Sequence, residues 1–477
     1  MLWFVEIMLS TNKPGTTVQF ACVALIFGMI CGGCTKPSLS ASQTAGAHPP
    51  KTLAGKRVLT FVSVIRVNQI EVSRNRNAGQ DEGKLHTVEL VRSLRENFGN
   101  AFPGGRMTWA FSWLALQDQR ENYQAIRRQV VDYHRQFGDE ITFIPGAYFA
   151  PMYNSREQVN QDLHDGLRLV SEMVGDGYRP KCVIAGFLAA ENQRYLAEQE
   201  NIHVCQGTIW SQYGIDNGDG DGSISYPYYP SRQHYCKPAQ GPADFIDCVC
   251  LDGWTCDFLT ARRPGFAGGF NSRQGLGPIE TLMNLGPKTG LREQLFTTAL
   301  HFDDGFQRNG FGWATVIWEA VLGTNTFRHL PEYGAEVRRR WPDVQCLTEG
   351  EFGEAFRSQF KDNRKLDYRF VERGSGIHGS DAKLEIRWFM NRDFRLALLH
   401  DWTVPGDREK VIDFTRYDLK ATEPKNYGRN WSLMNRINQK GVRPQDKPVF
   451  LNELPQEDQA FIRRRLPDLF KAAGTKN

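Results

Sequence analysis

Glu71, Glu191, Asp216 and His301 are the side chains in this 477-residue chain whose types and settings could break a bond to a sugar. Two carboxylates that flank a glycosidic bond can protonate the leaving oxygen and attack carbon or activate water. Their separation, roughly 5–5.5 Å or roughly 6.5–9.5 Å, then decides between retention and inversion. A positioned histidine supplies a general acid worth roughly 10²–10⁴-fold. Asp219, Asp303 and Asp304 are rival carboxylates, and Asn68, Trp113, Tyr148, Asn192, Trp210, Gln212 and Tyr228 could bond hydroxyls or stack on a pyranose. Each also has a plain structural reading. Glu191 could cap the helix that begins at Asn192, Glu71 could pair with Arg66 or Arg74, and His301 could be a satisfied core residue. Asp303-Asp304-Gly305 has turn chemistry, and single tryptophans more often fill cores than bind ligands.

The segment Trp210–Ser231, WSQYGIDNGDGDGSISYPYYPS, has most of a calcium loop. From Asn217 as position 1, Asp219, Asp221, Gly222 and Ile224 stand where ligands, glycine and the apolar residue belong, but Tyr228 occupies the place of the bidentate Glu. No entering helix precedes it. A glycine-rich turn at the rim of a site is therefore expected, with Asn217, Asp219 and Asp221 as the alternative calcium ligands. No cofactor is assigned; calcium here, or zinc elsewhere, is the alternative.

These residues need elements to hold them. RVLTFVSVI (57–65), MTWAFSWLAL (107–116), EITFIPG (140–146), CVIAGF (182–187) and IHVCQGTIW (202–210) read as strands apolar on both sides. Amphipathic stretches at 86–98, 121–138, 154–177 and from Asn192 read as helices between them. Further strands are expected at 244–251, 294–302 and 343–352. With about eight strand candidates, alternation of this kind predicts an α/β fold, a β/α barrel over 56–360. In such folds the reactive groups lie in the loops after the strands. That rule places Asn68, Glu71, Arg74 and Asp81 after the first strand, Trp113 and Gln117 after the second, and Tyr148 and Tyr153 after the third. It places His301, Asp303, Asp304 and Trp313 after the seventh, and Asp252 and Trp254 after the sixth. From 361 to 477 successive strand patterns without helices, then a helix at 454–470, predict a small β domain.

With 58 basic and 54 acidic side chains the charge is nearly balanced, and no Lys/Arg run suggests nucleic-acid binding. Val18–Gly33 is an apolar run with Lys13 before it, which fits the core of a signal peptide, and Cys34 after Gly32-Gly33 fits a lipoprotein processing site. The expectation is a leader at 1–34, a tether at 35–55 and an exported, periplasmic or cell-surface protein whose membrane contact is a lipid on Cys34. Of ten cysteines, Cys22, Cys31 and Cys34 belong to the leader; the group from Cys236 to Cys256 is the expected source of disulfides. The one-residue spacing of Cys248 and Cys250 suits zinc poorly.

Residues 57–355 resemble the polysaccharide deacetylase superfamily. GDEITFIPG with the helix from Asn154 occupies the place of the family's second motif, and VIAGFLAAENQRYLAE resembles its Arg-Pro-Pro-Tyr-Gly strand and helix. IHVCQGTIW is similar to the Gly-Tyr-strand-Trp phrase, TTALHFDDG to the motif with the catalytic His, and LPEYGAEVRRRWPDVQCLTEGEF to the closing helix and strand. The YPYYPS phrase and trailing β domain resemble an exported two-domain bacterial group within that superfamily. The resemblance implies a distorted barrel of about seven parallel strands and gives His301 the acid's position. The chain departs from it at the metal. Arg66-Val-Asn68-Gln-Ile-Glu71 stands where an Asp-Asp pair ends the first strand, and Phe143–Ala147 replaces two His spaced four apart. The expected activity is therefore an exported hydrolase acting on a polysaccharide or glycan, glycosidase-like or deacetylase-like. The alternative is an inactive carbohydrate-binding surface lipoprotein.

Overall fold

The computed structural model describes residues 50–74, 76–209, 222–261, 274–321, 325–406, 408–425, 431, 433 and 448–471. The chain divides into units Met1–Thr44 and Ala45–Asn477. The leader, Cys34 and most of the tether lie outside the described residues. The last tether residues are packed: Leu53 is buried, and Thr52 donates its hydroxyl to Gln359.

β1 (Arg57–Ile65) is apolar on both faces because both are covered. Leu59, Phe61 and Ile65 meet the helices, while Val58, Val62 and Val64 face a second, inner cluster. A hairpin of β2 (Asn68–Ser73) and β3 (Arg76–Asp81) follows, then α1 (Val88–Ala101), capped by the Thr87 hydroxyl accepting from the Leu90 N–H at 3.1 Å. β4 (Thr108–Ser112) stops earlier than expected, since Ser112 caps a short α2 (Trp113–Gln117). α3 (Glu121–Phe137) ends at Gly138, whose φ of 76° accepts the left-handed turn. β5 (Glu140–Ile144), α4 (Arg156–Val174), β6 (Cys182–Ile184), α5 (Ala190–Glu198) and β7 (Val204–Thr208) continue the alternation. Next come the hairpin β8 (Pro230–Ser231) and β9 (His234–Pro238), β10 (Val249–Asp252), α6 (Phe258–Ala261) and α7 (Pro287–Ala299). The parallel part closes with α8 (Phe306–Asn309), β11 (Gly312–Trp318), α9 (Leu330–Arg340), β12 (Gln345–Leu347) and α10 (Glu349–Gln359).

The parallel strands form two sheets, β11-β1-β4-β5 with β12 also on β1, and β10-β7-β6, in place of one seven-strand ring. Side contacts bring the sheets together. The Thr142 hydroxyl reaches the Cys182 carbonyl, and Thr315 N–H donates to the Thr255 hydroxyl at 2.9 Å.

Residues 294–302, expected as a strand, are helical. Gln294, Leu295, Thr297, Thr298, His301 and Phe302 are buried, a helical spacing that a composition rich in threonine and apolar residues disguises. The strand stands ten residues later, at GWATVIW. At 343–352, three residues of strand lead to α10, which begins at a Thr348–Glu351 capping box.

The C-terminal antiparallel sheet runs β13 (Asp367–Arg373), β14 (Leu384–Asn391), β15 (Phe394–Asp401), β16 (Lys410–Arg416) and β17 (Val449–Phe450), followed by α11 (Gln456–Arg465). Ile386, Trp388, Met390 and Ala397 join the inner cluster, so this sheet is anchored on the parallel part. The seven described cysteines are buried, and Cys236, Cys248, Cys250 and Cys256 form no disulfide, in contrast to the expectation for this group.

Candidate functional site

A buried polar network lies where β1, β4, β5 and β11 finish. Arg66, the residue after β1, is buried. Its Nε and Nη2 each donate to Glu82 at 2.8 Å, and Nη1 donates to Glu319 at 2.9 Å. Glu319 directly follows β11, the parallel neighbour of β1, so adjacent strands deliver the two charges to one level. Burial alone would lower the Arg66 pKa, but Glu319 and Glu82 outweigh it and raise it. Glu82 is under opposite pressures: burial raises it, while His86 and Arg66 bring it below the usual carboxylate value. His86 is lowered, chiefly by burial, with Glu82 opposing.

Glu71 sits beside this network but is turned to its own chain. It accepts from the Ser112 hydroxyl at 2.5 Å and from the N–H groups of Leu114 at 3.2 Å and Val67 at 3.4 Å. Burial nonetheless raises its pKa above the ordinary carboxylate. After β5, Gly146, Ala147, Tyr148 and Phe149 take φ values of 64°, 47°, 96° and 55°. Three successive left-handed non-glycine residues cost of order 1–3 kcal/mol each, and such strain gathers at functional sites. Here it brings the Tyr148 ring under the Arg66 guanidinium, 5.4 Å from the ring centroid. The Tyr148 hydroxyl is pushed well above its usual pKa by burial and then by Glu319. Glu319, 12 % exposed, is the carboxylate of the network nearest solvent.

The other expected residues are placed elsewhere. Asn68 is buried in β2, and Trp113 is half-buried under Arg74, 3.9 Å from the ring centroid. Arg74 pairs with Asp162 and Asp165, so it does not pair with Glu71. Glu191, 46 % exposed, lies in the first turn of α5, 3.8 Å from Arg156. It lines an open cleft of about 680 Å³ with Arg156, Arg194, Arg232 and the 420–425 segment. None of the cleft's lining residues belongs to the strand-end network. Asn192 is buried and ties α5 to α4 through the Arg156 carbonyl and Asn160. Tyr228 is buried and donates to the Tyr235 carbonyl at 2.7 Å.

His301 is not at a strand's C-terminal end. It lies on the helical turn 300–305, ahead of β11, with Nδ1 at 2.7 Å from the Tyr226 hydroxyl and its ring against Phe370. Burial lowers its pKa to about 4, so it is a neutral core residue at neutral pH. Asp303 accepts from Trp341 Nε1 at 2.7 Å, and Asp304 holds Arg308 and the Val371 N–H. Glu71, Glu191 and His301 therefore do not share one cleft. Trp210, Gln212, Asp216, Asn217, Asp219 and Asp221 lie outside the described residues.

Sequence reasoning passed over Arg66, Glu82, His86 and Glu319 as site residues. Glu319 could have been found, since it directly follows the seven-residue run GWATVIW. The residues at the deacetylase metal positions do not fit a divalent ion. Phe143 and Ala147 are apolar, and Arg66 brings a positive charge to the first strand's end. Among the described residues no group of three or more His, Cys, Asp or Glu is placed to hold a metal.

A family model described as a domain of unknown function with a solved structure, DUF3863, matches residues 51–390, and a second, DUF3864, matches 395–469. Their junction falls between β14 and β15, inside the C-terminal sheet. The crystal structure of a candidate glycoside hydrolase/deacetylase from Parabacteroides distasonis is 50 % identical, over 88 % of this chain and 100 % of that one, with a TM-score of 0.83. A candidate polysaccharide deacetylase from Mycobacterium smegmatis is 15 % identical over 66 % of this chain and 95 % of that one, with a TM-score of 0.41. A GH57-type branching enzyme from Pyrococcus horikoshii is 11 % identical over 62 % and 70 %, with a TM-score of 0.38. No curated protein matches.

Proposed function

We infer that this chain, which belongs to the DUF3863 family, is a carbohydrate-acting hydrolase whose reacting groups stand at the ends of β1, β5 and β11. The kinship with the Parabacteroides distasonis glycoside hydrolase/deacetylase candidate supports the substrate class. The observation that carries the site is the Arg66–Glu319 pair, 2.9 Å apart, beside a strained Tyr148. In this reading Glu319 takes the proton of an attacking water, and its partial exposure lets that water reach it. Arg66 and the neutral Tyr148 hydroxyl then stabilise charge that develops on the substrate oxygen. No step passes through a metal.

Glu71 and Ser112 hold the β2 hairpin against β4, so Glu71 positions the site without facing substrate. Asp216, which follows β7 in sequence, remains the candidate for a leaving-group acid. Export is part of the same proposal and rests on the apolar run Val18–Gly33 and on Cys34. Acetate and reducing-end release from chitin, acetylated xylan and peptidoglycan separates deacetylase from glycosidase. A protein that binds these glycans but releases neither product would instead be the carbohydrate-binding lipoprotein.

A further inference from the structure

The two faces of the C-terminal sheet are covered unequally. One face carries Ile386, Trp388 and Met390 into the inner cluster. The opposite face carries Phe389, Leu396 and Leu398, which pack with Phe461 and Ile462 of α11. Further along this second face, the strand register aligns Arg373 with Glu385 and Glu385 with His400. Arg373 Nε donates to Glu385 at 2.8 Å. The His400 ring lies against the indole of Trp402, centroids 3.9 Å apart.

Trp402 is 63 % exposed, more than any other large hydrophobic residue described. The chain around it is held by hydrogen bonds. The Trp402 backbone N–H donates to the Lys383 carbonyl at 2.9 Å, and the Thr403 N–H and hydroxyl donate to Asp401 Oδ1 at 2.9 and 2.5 Å. An indole held open to water gives up burial that the fold could use, so a ligand that covers it is the physical reason to keep it there. The apolar patch is small, Trp402 with Val404 beside it. That is far less than the roughly 800 Å² per partner of a stable protein interface. It matches the C–H face of one or two pyranose rings, whose hydroxyls would meet the carboxylate, guanidinium and imidazole of the adjoining row.

We propose that Arg373, Glu385, His400 and Trp402 form a glycan-binding platform on the C-terminal sheet, separate from the strand-end site. The platform takes pyranose rings of a polysaccharide and stands whether or not Glu319 is catalytic. The test is retention of the full chain on insoluble chitin, cellulose and xylan. Wild type should be retained on at least one, Trp402→Ala about tenfold more weakly with an unchanged melting temperature, and Glu385→Gln in between. Glu319→Gln should be retained like wild type, which separates this site from the hydrolytic reading. Equal retention of wild type and Trp402→Ala overturns the platform, as does a wild type that binds none of the three. It also falls if Trp402→Ala abolishes self-association in sedimentation without altering retention, because the patch is then a protein contact.

Discussion

Arg66 and Glu319 join the ends of two neighbouring parallel strands through a 2.9 Å ion pair, although 253 residues separate them. The guanidinium's Nε and Nη2 donate to Glu82, so one buried cation is shared by one enclosed carboxylate and one that reaches solvent. In a low-dielectric site a charge so enclosed stays fixed, and its field acts on whatever enters beside Glu319.

Replacing Glu319 by Gln keeps the shape and removes the base. Turnover on a polysaccharide that wild type hydrolyses should fall by roughly 10²–10⁴-fold with substrate binding retained. Initial rates of acetate or reducing-end release check this, and wild-type rates in Glu319→Gln would move the chemistry elsewhere.

Glu82→Gln leaves Arg66 without its enclosed counter-charge. Breaking a buried pair in this way should destabilise by about 3–5 kcal/mol, read from urea unfolding. A loss below about 1 kcal/mol would mean that Glu319 alone holds the guanidinium.

His301 should matter for stability and not for turnover. Its folded pKa, about 4, lies below the ordinary value of 6.5 because burial disfavours the charged ring. The unfolded chain therefore takes the proton first, and stability falls as pH drops from 6.5 through about 4. His301→Gln should lose part of this acid sensitivity while its rate stays close to wild type, against the roughly 10²–10⁴-fold loss expected for a general acid. Melting curves between pH 4 and 7 alongside rate assays decide it.

Asp257 and Glu293 give the opposite pH response. Both are buried; burial first and then the charge of Glu372 on the C-terminal sheet raise Asp257 to about 7, while burial first and then the charge of Asp257 raise Glu293 to about 9. A carboxyl raised in the folded state binds protons that the unfolded chain has already released, so stability is lost as pH rises from the ordinary carboxylate range to about 9. Glu293→Gln should flatten that slope in melting curves from pH 5 to 9, and an unchanged slope would place the titration elsewhere.

The alternation of strands and helices was legible because it depends on local pattern. β1, β4 and β5 are short runs apolar on both sides, and the C-terminal strands are separated by turns with no helical pattern between them. The misreading at 294–302 shows where local pattern fails. Threonine-rich apolar residues suit strand and helix alike, and the spacing of the buried ones decided for helix. That error also displaced the next strand and concealed Glu319 at its end.

The sequence by itself determined the covered strands, the C-terminal sheet, the deacetylase-like kinship and the loss of the metal-binding residues at Phe143 and Ala147. Those follow from residue type and near-neighbour spacing. Only the tertiary structure decided which charges meet. Arg66 pairs with Glu82 and with Glu319, respectively 16 and 253 positions away, while Glu71 turns to Ser112 and His301 to Tyr226. Burial makes an unpaired charge costly, so each buried ionisable group takes the partner that packing delivers, and packing is set by strands far apart in the chain.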